Sequence, residues 1–89
     1  MEFRWLEWNV LHIEEHGVDR PEVERLIERA KQPYPLRQGE DKWMVKGPGN
    51  AGRLLQAIYV VDPDGTIFVI HARPLTDGEK KRFKRRRES

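Results

Sequence analysis

At 89 residues, with 37% hydrophobic and 36% charged side chains, the chain can build one small domain around a modest core but not two. The absence of cysteine excludes disulfides, thiolate metal sites and cysteine catalysis. No stretch reaches the roughly 18 apolar residues of a membrane span, and MEFRWLEWN lacks the basic-then-apolar layout of a signal peptide, so a cytoplasmic protein is expected.

In chain order, LEWNVLHIEEHG reads as a helix of about three turns. Leu6, Val10 and Ile13 are spaced to face a core, and Gly17 stands where a left-handed closing residue is needed. A second helix follows at once. Asp19 is a suitable N-cap, Pro21 fits the first turn, and Glu22 completes an Asp-x-x-Glu capping box. Val23, Leu26, Ile27 and Ala30 form one apolar stripe, with Arg25, Glu28 and Arg29 toward water, and the prolines of QPYP, residues 32–35, stop the helix.

The hydrophobic period then changes to two. A short strand is expected around residues 43–46, a glycine-rich loop over 47–52, and a long strand over 53–61. The DPDG turn at 62–65 leads into a returning strand over 66–73 that Pro74 ends. Thr76 and Glu79 form a second capping box, opening a basic helix from about Asp77. The order predicts a single α+β domain over residues 1–89. It has two N-terminal helices on one face of a three- to four-stranded antiparallel sheet, and a short C-terminal helix.

The formal net charge of +2 conceals an asymmetry. Residues 1–41 carry 6 Lys/Arg and 10 Asp/Glu, a net of −4, whereas residues 42–89 carry 11 and 5, a net of +6. A basic second half points to an anionic partner, nucleic acid first, or else to a solvated tail. In the run KKRFKRRR, residues 80–87, seven of eight residues are basic. Lys80, Lys81 and Lys84 are accordingly candidate RNA contacts of the nonspecific, salt-dependent kind.

His12 and His16 lie four apart on one helix face, the spacing of a zinc pair. The metalloprotease pattern requires glutamate directly after the first histidine, and the order here is His-Ile-Glu-Glu-His. With His71 the only other histidine and no third ligand in a recognisable pattern, no metal or other cofactor is expected. Local capping or hydrogen bonding by His12 and His16, or contact of the Trp8, His12 and His16 line with a nucleobase or a partner, remain alternatives. The loop KGPGNAGR matches neither phosphate-binding glycine fingerprint and reads as a hairpin connection.

Strand parity places Arg53 with Tyr59, and His71 with Arg73. Should the register join these faces, two arginines, a histidine and a tyrosine would share one side of the sheet. Leu54, Ile58, Val60, Phe68, Ile70 and Ala72 would then pack under the helices. Such a face suits metal-free phosphodiester chemistry. Arginine binds the phosphate and stabilises the charge of the transition state, while histidine, tyrosine or lysine moves protons.

The chain resembles the BrnT family of toxins, small ribonucleases of the RelE-like superfamily. The resemblance rests on Trp-x-x-Trp-Asn-x-x-His-Ile-x-x-His-Gly-Val at residues 5–18 with Glu-Val-Glu at 22–24, on Gly-Arg-Leu-Leu at 52–55, and on Ala-Arg-Pro-Leu-Thr-x-x-Glu at 72–79 before a basic helix. It departs from the family at Leu6, where aspartate is common, and in the glycine-rich loop before Arg53. The resemblance implies an RNA-cleaving, translation-inhibiting type II toxin. Its partner would be a ribbon-helix-helix antitoxin of the BrnA kind, through which the pair contacts operator DNA. It also implies functional basic residues on this sheet face and the first helix, which here are Arg53, Arg73 and His16.

Together these readings make Arg53, Arg73, His16 and Tyr59 the candidate catalytic residues. Lys46 and His71 join the tail lysines as candidate RNA contacts. The alternative is a non-catalytic module that holds RNA or an antitoxin. A DNA-reading regulator built on the first two helices is disfavoured by Glu14, Glu15, Glu22, Glu24 and Glu28, which repel a phosphate backbone.

Overall fold

The computed structural model describes the backbone of residues 1–88 and the side chains of residues 1–86, so the side chain of Arg87 lies outside the described residues. The elements run α1 (Glu7–Glu14), α2 (Arg20–Glu28), β1 (Leu36–Arg37), β2 (Lys42–Pro48), a 3-10 turn (Asn50–Gly52), β3 (Leu54–Val61), β4 (Ile67–Pro74) and α3 (Asp77–Glu88). The four strands form one antiparallel sheet in the order β1-β2-β3-β4. This is the expected α+β layout.

Helix α1 starts without a side-chain acceptor at its N-cap, because Leu6 offers none. Instead the Leu6 N–H donates to Asn9 Oδ1 at 2.6 Å, and the Asn9 amide donates to the Val69 carbonyl on β4 at 3.0 Å. Asn9 is wholly buried, so both of its bonds are made away from water. Leu6 is 44% exposed rather than in the core, which corrects its expected role; Ile13 alone of the expected trio is fully buried. Gly17 closes the helix with φ +74°, a conformation an L side chain adopts only at a cost.

Helix α2 is capped by Asp19, which accepts from the Glu22 N–H at 2.9 Å. The capping box is not completed, because the Glu22 carboxylate is used elsewhere. Val23, Leu26 and Ile27 are buried against β2 and β3, with Ala30 half-buried beside them. One buried cluster joins these residues to Ile13, Val18, Val45, Leu55, Ala57, Tyr59, Ile67, Val69 and Ala72.

The core-facing side of the sheet differs from the expectation. On β3 it is Leu55, Ala57 and Tyr59 that are buried, while Leu54, Ile58 and Val60 are half-buried on the other face. The pairing of β3 with β4 shifts register between Ile58 and Tyr59. Ile58 pairs with His71 but Tyr59 pairs with Val69, leaving Ile70 as an extra residue. This bulge inverts the alternation part-way along β4. Ile67 and Val69 face the core before it and Ala72 after it, while Phe68, His71 and Arg73 share the open face.

Candidate functional site

The open face of the sheet is built in rows. Lys46 on β2 lies opposite Gln56, which lies opposite Arg73 on β4; Met44, Ile58 and His71 form the next row. None of these six side chains is fully buried, so the face pairs apolar contact surface with cationic groups.

Helix α1 lies against the outer strand β4 and adds its own side chains to this face. The Asn9 bond to Val69 and an edge-on contact between Trp8 and Phe68, 5.5 Å between centroids, fix the helix at that edge. The rings of His12, His16 and His71 consequently form a nearly equilateral triangle, with centroids 5.7, 5.8 and 5.6 Å apart. One ring nitrogen of each lies within 4.8 Å of the others, an arrangement able to hold a metal ion. The missing third ligand of the sequence reading is therefore present, delivered by β4 from the far end of the chain. The pKa of His71 is pushed below its ordinary value, first by partial burial and then by the positive charges of Arg73, His16 and His12. More of the ring is thereby kept neutral, the form that accepts a proton.

Arg73 stands beside His71 on this face, but its guanidinium is already engaged. It donates twice to Glu79, at 2.7 and 2.8 Å, and once to the Pro74 carbonyl. Glu79 also accepts from the Thr76 N–H at 2.8 Å, and the Glu79 N–H donates to Thr76 Oγ1, so the predicted capping box forms and is tied to the sheet by Arg73. Arg73 holds the Glu79 carboxyl well below the usual carboxylate range, and Glu79 raises the Arg73 pKa in turn.

Two expected site residues lie elsewhere. Tyr59 is 6% exposed in the core, and burial pushes its phenol pKa up, so it neither faces the site nor gives up its proton readily. Its parity was read correctly but the face was not. Arg53 precedes β3 with that same core-side parity, opposite in face to Arg73. Its guanidinium reaches the Gly17 carbonyl and the Glu22 carboxylate, each at 2.8 Å. The two arginines therefore do not converge on one phosphate. A shallow groove of about 270 Å³ brings Arg53 near Lys80 and Lys84 of α3, and Lys81 is exposed on the same helix. Lys80 also approaches Asp77 at 3.8 Å.

Glu22 is the functional-looking carboxylate that the capping-box reading missed. Only 2% exposed, it accepts from the Asn50 N–H at 2.7 Å as well as from Arg53. The glycine-rich loop thus does cradle an anion, namely the chain's own Glu22. A Cβ at Gly49 would stand 2.5 Å from both Glu22 Oε2 and Leu55 Cδ1, so any larger residue there would have to displace the ends of those two side chains. The acid at residue 22 and the loop glycines were visible separately, but their meeting depends on α2 crossing the β2–β3 end of the sheet.

Compared with known protein families, curated proteins and solved structures, the chain gives no match. Among the described residues no helix is long and apolar enough to cross a membrane.

Proposed function

We propose that the chain is a metal-independent endoribonuclease, a cytoplasmic toxin of the BrnT kind held in check by a ribbon-helix-helix antitoxin that carries it to operator DNA. The observation that supports this reading is the gathering of His12, His16 and His71, with Arg73 adjacent, at the edge of a sheet face that also carries Lys46. In this reading RNA lies across the open face. His71, kept neutral, takes the proton from a ribose 2′-OH as that oxygen attacks the phosphorus. His16, in its protonated form, returns a proton to the departing 5′-oxygen. The products are a 2′,3′-cyclic phosphate and a free 5′-hydroxyl. Arg73 and Lys46 supply positive charge to the phosphate, which requires Arg73 to share or release Glu79.

The expected outcome is cleavage of single-stranded RNA by the purified chain in the presence of a chelator, with cyclic-phosphate ends. His71→Ala and His16→Ala should each slow it by about 100-fold or more, the usual contribution of a proton-transferring group. A folded wild type that leaves RNA intact, or a His71→Ala variant that cuts at full rate, overturns the reading. One observation favours the binding module instead: Arg53 and Arg73 are both already held by carboxylates. RNA bound tightly but uncut in the same assay would establish that alternative.

A further inference from the structure

The geometry of the histidine triangle points to a second property: we propose that His12, His16 and His71 form a binding site for one divalent transition-metal ion, with zinc the best fit. Two ligands come from successive turns of α1 and the third from β4. This layout brings three imidazoles together on a helix, its closing turn and a strand. In a tetrahedral site with zinc–nitrogen bonds of about 2.0–2.1 Å, ligand nitrogens stand roughly 3.3 Å apart. The ring nitrogens here lie within 4.8 Å of each other. Small side-chain rotations close that gap, because His16 is exposed and the other two rings are only half-buried.

The observation that carries the proposal is that three imidazoles from two elements far apart in sequence each bring one ring nitrogen within 4.8 Å of the other two. Three neutral imidazoles without thiolate or carboxylate select zinc, copper, nickel or cobalt over magnesium or calcium, which prefer oxygen. Because His16 is exposed, water can reach the site and would supply a fourth ligand. The opposing charge nearby is Arg73, and its bidentate pairing with Glu79 largely offsets it. The proposal does not depend on the ribonuclease reading. Only one consequence does: an ion on these imidazoles removes them from proton transfer, so zinc would inhibit cleavage.

The test is a titration of the full chain with zinc against a chromophoric chelator, repeated with cobalt, whose visible absorption reports coordination geometry. Expected are one ion per chain and a tetrahedral cobalt spectrum. Losing an outer-shell partner alone typically costs 10- to 100-fold in affinity, so replacing a direct ligand should cost at least about tenfold. His71→Asn and His16→Asn should each show that loss, with circular dichroism verifying the fold; exposed His16 makes that variant the safer of the two. Absence of wild-type zinc binding at roughly ten-micromolar metal, a level any zinc site of functional affinity exceeds, overturns the proposal. So does binding that both variants retain undiminished. Each outcome is read from metal binding, so it stands apart from whether RNA is cut.

Discussion

Asn9 joins two parts of the chain with one side chain. Its oxygen caps α1 from within, and its amide holds that helix to the outer strand, so the position of His12 and His16 relative to His71 depends on a residue outside the three. The cap is nevertheless incomplete. Leu6 has the extended backbone of an N-cap, φ −117° and ψ 164°, and a side chain that cannot accept a hydrogen bond, while lying 44% exposed. Aspartate there would accept from the free amides of the first turn and add a negative charge at the positive end of the helix dipole. Leu6→Asp should therefore stabilise the protein by about 0.5–2 kcal/mol, the usual worth of a cap. Urea unfolding would measure it, and an unchanged or lower midpoint would mean that Leu6 contributes more by contact than a cap supplies. The Glu22 cradle follows a different rule. There a buried charge is tolerated because a guanidinium and a backbone amide both meet it, and Arg53 is 38% exposed, so the pair keeps one side in water.

At the scale of elements, α3 is held both by Phe83, buried in the core and stacked on Tyr34, and by one carboxylate that ties its first turn to the sheet. Glu79 serves the Thr76 cap and the Arg73 guanidinium together, and its folded pKa lies far below the ordinary carboxylate value of 4.5. A depressed folded pKa contributes stability that is present above the unfolded value and lost as pH falls below it. The wild type should therefore be more stable than Glu79→Gln at neutral pH, and the difference should shrink as pH is lowered from about 5 toward 2. Chemical denaturation at several pH values would show it; a pH-independent gap would mean that the bonds, not the charge, hold α3. Turn and cap residues made these elements legible in the sequence: Asp19, Gly17, the DPDG turn and Thr76–Glu79 each mark a boundary that the structure keeps. The sheet face was harder to read because residues 54–61, LLQAIYVV, are apolar at both parities. Gln56, the one polar side chain in that run, does lie on the open face and was the available signal. The bulge at Ile70 had no such signal. An extra residue between two apolar runs leaves no trace in composition, yet it alone decides that Ala72 turns inward while His71 and Arg73 turn out.

For the whole molecule, the charge asymmetry of the sequence becomes a spatial one. The acidic first half supplies α1 and α2, and the cations of the second half lie on the sheet and α3, where Lys80 and Lys84 border Arg53 and Lys46 sits in the Arg73 row. Under the proposed ribonuclease reading, two ways of holding RNA separate here. If RNA crosses only the open face, the tail lysines are bystanders and merely keep the chain in solution. If the strand continues from the sheet onto α3, each lysine that meets a phosphate releases a counterion, and single-stranded binding weakens with salt by about 0.7 logarithmic units of affinity per unit of log salt for each such contact. The groove beside Arg53 favours the second model, because it continues from β3 onto the exposed flank of α3. Replacing Lys81 and Lys84 together by alanine should then lower the magnitude of that slope by about 1.4, two contacts' worth, and weaken binding most at low salt. His71→Ala carries no such change in phosphate contacts and should leave the slope nearly unaltered while removing cleavage. Equal slopes for wild type and the double-lysine variant would confine RNA to the sheet and leave α3 to another partner.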